Sequence, residues 1–310
     1  YILSALSFAI SFNSRAIHRL LAPTAINMLA LGINTLFNYC LIYGNFGFPM
    51  LGVEGAAIAT VFARLVEFTA LLLYVYHDRK HPLAASLSEL FRFDRELTRR
   101  VLNTTRPVVI SEGAWSIGSA VYYIAYGMVG DAAIAVVQVS AIVNELFTSV
   151  FFGIGNASAV LIGNELGRGN KQKADAYAWV FIRAAVVTCL VITLLFWLCR
   201  APIIRFYAFD PATSLLLERT LLVFIIFATP RMLTYTLFIG VLRAGGDTRF
   251  TMILDLLGIW CVGVPLAFLG SAVLGWDLPY VVALSLLEEV IKLIICFHRI
   301  RSKKWINVLV

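Results

Sequence analysis

The sequence predicts an all-α polytopic membrane protein, on three observations. First, the 310 residues are 60% hydrophobic and 14% charged, with a mean hydropathy of +0.86, whereas a soluble globular domain carries roughly 25% charged residues. Second, eight long apolar stretches alternate with mostly short polar loops, each stretch near the ~20 residues that cross a bilayer. Third, Lys and Arg sort by alternate loops. One set of loops holds Arg15, Arg19, Arg79, Lys80, Arg92, Arg95, Arg99, Arg100, Arg168, Lys171, Lys173, Arg243, Arg249, Arg299, Arg301, Lys303 and Lys304; the other holds Arg200 and Arg205. The positive-inside rule makes the basic side cytoplasmic. A buried soluble bundle gives no reason for such alternation. The net charge of +7 is accounted for by these loops, so it does not point to nucleic acid.

The elements follow in order. The opening YILSALSFAISF has neither Met nor a charged leader region and reads as the tail of a spanning helix, so the sequence reads as N-terminally truncated. Spans are expected near 22–43, 53–76, 104–128, 132–163, 174–199, 213–242, 250–273 and 279–298. Stretches longer than the minimum imply tilt or extension beyond the lipid. The connections carry turn chemistry: GNFGFPMLG at 44–52, VGD at 129–131, GRGN at 167–170, DP at 210–211, GGD at 245–247 and GWDLP at 275–279. Pro211 and Pro279 stand where a helix can begin. The segment 77–103 is polar and basic, with Leu87, Leu90, Phe91 and Leu97 forming one apolar face. That pattern suits an amphipathic helix on the inner membrane face, and the segment is the expected boundary between two bundles. The expected organisation is therefore 1–76, the end of one bundle; 77–103, a cytoplasmic linker; 104–298, a six-helix bundle; and 299–310, a basic cytoplasmic tail.

Ionisable groups in hydrocarbon are expensive and need a partner or a wet cavity. Glu112 lies about ten residues into the 104–128 span, with Pro107 five residues earlier to perturb the helix. Glu112, Ser116 and Ser119 share a face that Tyr123 and Tyr126 continue. A carboxylate among hydroxyls and aromatic rings suits a proton, a small cation or an organic cation; a protonated, hydrogen-bonded structural Glu is the plain alternative. On the next span Gln138 and Glu145 are seven residues apart and are placed to face one cavity. Asp255 faces either a cavity or a polar contact at the membrane edge. Glu288 and Lys292 form an i,i+4 pair that favours mutual neutralisation, as do Arg64 and Glu67 at i,i+3. Pro230 interrupts the ladder of the 213–242 helix and exposes carbonyls to a cavity, making it, with Pro107, a candidate conformational position. Arg183 and Arg231 are the intramembrane cations that an anionic substrate would use.

Nothing here points to an enzyme. GGD at 245–247 is a turn, since no Lys-Ser/Thr follows it. The four histidines sit in loops or at a helix end and form no metal pair. Cys40, Cys189, Cys199, Cys261 and Cys296 read as small hydrophobes rather than a disulfide framework. Neither metal nor cofactor is expected. Trp276 and Trp305 fall near interfaces and read as anchors.

Four stretches carry a resemblance: NTLFNYCLIYGNFGFPMLGVEGAAIATVFAR at 34–64, PVVISEGAWSIGSAVYYIAYG at 107–127, NASAVLIGNELGRGNKQKADAYA at 156–178 and LRAGGDTRF at 242–250. In this order and spacing they resemble the multidrug and toxic compound extrusion (MATE) family, over residues 1 to about 298. The resemblance implies a two-lobe, twelve-helix bundle, here the six helices of the C-terminal lobe and the last two to three of the N-terminal lobe. It implies a monomeric exporter of cationic amphipathic drugs, in a lipid bilayer, driven by inward H⁺ or Na⁺. A repeat of basic turns, SRAIHR at 14–19 and LRAGGDTR at 242–249, each followed by the same order of elements, agrees with duplicated lobes. Glu112 matches the family's acidic residue on the seventh helix. One branch carries an acidic cation ligand on its tenth helix, where 230–241, PRMLTYTLFIGV, has none; that departure counts against a Na⁺ site of the same kind. The family's first-helix Asp would lie upstream of this sequence. Two further readings stand beside it: an exporter or flippase of a lipid-linked or anionic substrate, and a non-transport membrane scaffold.

Overall fold

In the computed structural model, residues 2–78, 81–86, 89 and 94–307 are described, and the chain divides into two compact units, Tyr1–Asp94 and Arg95–Val310. Each expected span, and the partial helix before the first, is present among the described residues.

In the first unit α1 (Ile2–Ala16) and α2 (Leu21–Tyr43) both pack on α3 (Val53–His77). Helix α1 turns Ser7, Ser11 and Ser14 inward, small residues that let backbones approach. Helix α2 ends on Gly44 in the left-handed region (φ 70°), whose N–H bonds Cys40 O, the usual glycine stop. The α2–α3 contact is close because Gly55 has no side chain: a Cβ there would lie 2.6 Å from Leu41 O. Beyond α3, Arg19 pairs with Asp78 at 2.8 Å. His81 is buried beside them, stacked edge-on against Tyr74, its Nδ1 accepting from Leu83 N–H. Burial, and then the nearby Arg19 charge, hold its imidazole below the ordinary histidine range. Leu87, Leu90 and Phe91, the apolar face expected of a linker helix, lie outside the described residues. Residues 95–103 of the expected linker form the first turns of α4.

The second unit is an up-and-down bundle of α4 (Arg95–Gly127), α5 (Asp131–Gly167), α6 (Lys171–Tyr207), α7 (Pro211–Arg243), α8 (Thr248–Val273) and α9 (Leu278–Arg301). Helix α7 touches α5, α6 and α9, and α4 packs on α8. The start of α7 is set by Asp210, whose carboxylate accepts from Thr213 N–H at 3.0 Å, with Pro211 next in line. Hydrogen bonds from Thr213 hold the Asp210 carboxyl below its usual range. One end of the bundle is filled by Val136, Leu217, Leu221 and Val281 around Tyr126. The other end is filled by Leu237, Val241, Leu242, Leu254, Ile300 and Trp305. Trp305, expected as an interfacial anchor, is wholly buried there. The chain folds back after α9 so that Asn307 N–H donates to Gly245 O at 3.0 Å, and Gly245 lacks the side chain that would meet the indole.

Six helices among the described residues are long and apolar enough to cross a membrane: α2, α3, α5, α6, α7 and α8. Helices α4 and α9, at 33 and 24 residues, have the length but are the more polar ones. Their polar side chains build the site below.

Candidate functional site: a line of charges through the second bundle

Helices α4, α7, α8 and α9 bring ionisable side chains into one connected line. Arg243, in the last turn of α7, points into the bundle with its side chain 13% exposed. Its Nη1 donates to Glu112 Oε1 at 2.6 Å and its Nη2 to Ser111 Oγ at 3.1 Å. Ser111 Oγ in turn donates to Asp255 Oδ2 at 2.6 Å. The other oxygen of Asp255 accepts from Lys292 Nζ at 3.0 Å. The same ammonium lies 3.4 Å from Glu288 Oε2. Asp255, Glu288 and Lys292 are all buried.

Backbone irregularity makes room for this line. Helices α7 and α8 widen into π-helical turns at Thr236–Arg243, Gly258–Gly263 and Leu269–Val273, a feature frequent at functional sites. In the second of these, Gly258 and Gly263 are one π turn apart on the same side. A side chain at Gly258 would collide with Lys292, and one at Gly263 with Tyr122 Oη and Glu288. Deeper in, the Tyr126 and Ser285 hydroxyls share a hydrogen bond of 2.7 Å.

The electrostatics are unbalanced. Three carboxylates, Glu112, Asp255 and Glu288, stand against two cations, Arg243 and Lys292. A buried ion pair is strongly destabilised when one partner is removed, by about 3–5 kcal/mol. Lys292, buried between Asp255 and Glu288, is therefore a fixed counter-ion, whereas the pair of Arg243 with the half-exposed Glu112 is screened by solvent and holds less firmly.

The expected residues separate into two sets. Glu112, its side chain 56% exposed, stands with Ser116 and Tyr123 on the outward face of α4, but Tyr126 is turned inward and Ser119 is half-buried. At 100° per residue the five fall within about 80° of one another, but the far end of that face is covered, where Tyr126 bonds Ser285 of α9 at 2.7 Å. Gln138 and Glu145 are both exposed on α5. Gln138 lines a shallow groove with Asp131, Ile134, Ile142, Tyr207 and Phe209, and Glu145 is not part of it; seven residues carry it roughly 10 Å along the axis. Asp255 is buried and engaged by Ser111 and Lys292. Pro107 is buried within an unbroken α4, and Pro230 lies in α7 six residues before the first π turn. Glu67 pairs with Arg64 at 2.5 Å, as its spacing implies. Sequence reasoning misses Arg243, which reads as one more loop cation, and misses that Lys292 serves Asp255 as well as Glu288.

This bundle is a family feature. The MatE family model matches residues 107–269, more than half of the chain, and the chain belongs to that family. It is 27% identical over 89% of its length to the uncharacterized transporter YisQ of Bacillus subtilis, covering 60% of that protein. It is 30% identical over 77% of its length to a probable multidrug resistance protein NorM of Xylella fastidiosa, covering 51% of it. Among solved structures, a mutant of the Vibrio cholerae MATE transporter VcmN superposes with a TM-score of 0.81 at 17% identity, over 98% of this chain and 66% of that one. An outward-facing multidrug resistance MATE family transporter of the MOP superfamily gives 0.76 at 20% identity, over 91% and 62%. The chain thus spans about half to two thirds of the length of the proteins it matches.

Proposed function

We propose that this chain is part of a secondary antiporter of the cell membrane that exports organic cations in exchange for inward H⁺ or Na⁺. The observation that carries the reading is the net-acidic line from Glu112 to Glu288, carried by α4, α7, α8 and α9 of a bundle whose α5, α6, α7 and α8 are apolar enough to span a bilayer. A site with one excess negative charge gains by taking up a cation or a proton, and such a gain available from alternate sides is what couples two fluxes. The names of the NorM relatives support drugs as the substrate class. Glu112, Ser116, Tyr123, Gln138 and Glu145, all on outward faces of α4 and α5, are the proposed substrate-facing set, with Asp255 behind them on the ion side. Pro107 and Pro230 are the proposed points of bending during the cycle. Loop charge supports a cytoplasmic linker and C-terminus, and a monomer in lipid is the assembly proposed.

The exported-anion reading rests on Arg183 and Arg231 and receives no support from Arg243, which Glu112 neutralises. The test is efflux from proteoliposomes holding the full-length protein under an imposed H⁺ or Na⁺ gradient. Gradient-dependent movement of an organic cation such as ethidium is expected. No movement of any organic cation under either gradient overturns the reading.

A further inference from the structure

Lys292 occupies an unusual place. Its ammonium sits between two buried carboxylates from different helices, 3.0 Å from Asp255 Oδ1 and 3.4 Å from Glu288 Oε2. Two carboxylates converging on one point from α8 and α9 are the oxygen set that a monovalent metal cation would take. The cation already there is covalently part of α9 and cannot leave. Gly258, at the start of the π turn, leaves no room beside it, since even a methyl group there would meet Lys292 Cε.

We infer that Lys292 is the resident cation of this two-carboxylate site, excludes Na⁺ from it, and leaves Glu288 to take up a proton instead.

The two carboxylates are not equivalent. Asp255 is fully engaged, one oxygen accepting from Ser111 and the other from Lys292. Glu288 Oε2 is buried and receives no well-directed hydrogen bond, only the 3.4 Å approach of Lys292 Nζ and the neighbouring Tyr122 hydroxyl. The Tyr122 hydroxyl, likewise without a well-directed hydrogen bond, converges with Glu288 on the side of Gly263. The charged and titratable groups around Glu288 are Lys292 and Glu289 on its own helix, Tyr122 and Tyr126 on α4, and Asp255 on α8. Arg231 of α7 lies near Tyr126. Glu289 and Arg231 add one charge of each sign, so the excess of one negative charge remains. A proton on Glu288 removes it: a carboxylate becomes a carboxyl, the ammonium stays on Asp255, and the line is neutral. The carboxyl O–H then has the Tyr122 oxygen to donate to. A Na⁺ at the same place would have to displace an ammonium that is itself buried and tethered to α9.

A role in coupling rests on the transport reading above; the binding chemistry does not, and its test uses no substrate. Thermal unfolding of the purified protein in detergent is measured in NaCl and in choline chloride at equal ionic strength, for the wild type and Lys292→Met. The variant vacates the site between two carboxylates. Its midpoint is expected to rise with the logarithm of NaCl concentration, as linkage requires of a ligand of the folded state, beyond any rise in the wild type. A folded variant with no Na⁺ response beyond the wild type's overturns the inference. The second arm needs no vacated site. Infrared difference spectra between acid and neutral pH are expected to contain a buried-carboxyl band that Glu288→Gln lacks and Asp255→Asn retains. A band that persists in Glu288→Gln overturns the proton assignment, whatever the fate of Lys292→Met. Failure of both arms with efflux intact would leave the transport reading standing and locate coupling elsewhere.

Discussion

Trp305 makes the sharpest stability prediction, because its position departs most from its sequence context. The indole is completely buried against Leu237, Val241, Leu242 and Ile300, and the chain around it is fixed by Asn307 N–H on Gly245 O at 3.0 Å. Two ion pairs flank it: Arg299 with Asp247 at 2.7 Å and Lys303 with Asp175 at 2.8 Å. Removing a buried Trp side chain costs about 3–5 kcal/mol. A domain of this size shifts its unfolding midpoint by roughly 2–4 °C per kcal/mol. Trp305→Ala should therefore lower the midpoint of the second bundle by roughly 6–20 °C on that scale. Trp305→Phe should cost far less, because the indole Nε1 is buried without a partner, and losing such a donor recovers about 1–3 kcal/mol against the smaller ring. Gly245→Ala should be as harmful as Trp305→Ala, since the added methyl meets the indole and the Trp305 carbonyl. In the double variant the two losses should fail to add, as expected for residues in contact. The assay is thermal unfolding in detergent followed by size-exclusion fluorescence. A Trp305→Ala midpoint within about 2 °C of the wild type, under 1 kcal/mol on this scale, refutes the packing argument.

Three further outcomes follow from the geometry. Glu112→Gln keeps the shape, removes the charge opposite Arg243, and should abolish or greatly slow cation efflux at near-normal abundance; Glu289→Gln should do much less, both read by efflux from cells or proteoliposomes of the full-length protein. Gly263→Ala forces a methyl group against Tyr122 and Glu288 and should cost at least the roughly 1–3 kcal/mol of an overpacked core, with Gly32→Ala, which has open space, as the neutral control in thermal unfolding. His81 is held neutral below the ordinary histidine range, so the unfolded loop takes the proton first as pH falls through that range. Its contribution to local stability is therefore complete above the ordinary range and declines through the acid side until the folded pKa is reached. The protection factor of the Leu83 amide, its exchange rate corrected for the intrinsic fall with pH, should drop on acidification in the wild type and lose that response in His81→Asn.

Most of the helical architecture was legible because lipid demands it. An unpaired backbone group in hydrocarbon is so costly that spans must be helices, and the loops then announce themselves by turn residues and basic charge. Glu67 with Arg64, and Glu288 with Lys292, were legible for the same reason: both pairs are local, at one-turn spacing. The contacts that assemble the site were not legible. Ser111 meets Asp255 across 144 residues, Arg243 meets Glu112 across 131, and Lys292 meets Asp255 across 37. No periodicity encodes such pairings; they depend on which helix packs on which. The π turns that admit Lys292 and Tyr122 were hidden too, since nothing in an apolar run marks where the hydrogen-bond ladder widens, and Gly258 and Gly263 carry no side chain to signal it. Arg243 and Trp305 misled for a shared reason. Each sits at a helix end, where composition reads them as interfacial, and each is drawn inward by a partner distant in the chain or by a glycine that makes space.

The two long helices of the second bundle that fall outside the spanning set, α4 and α9, are also two whose charges are answered from other helices. Glu112 on α4 is answered by Arg243 on α7, and Lys292 on α9 by Asp255 on α8. Neither helix is self-sufficient in lipid. Each holds carboxylates that its own sequence compensates only in part, so the bundle must assemble before its polar helices can be at rest. That dependence also gives the bundle something to respond with. A helix whose polar groups are all satisfied within itself is indifferent to a proton or a cation arriving beside it. A line of five ionisable groups with one negative charge left over is not, because the arriving charge changes the attraction among four helices at once. The excess charge is thus both the cost of placing carboxylates in the bundle and the means by which an ion can alter its packing.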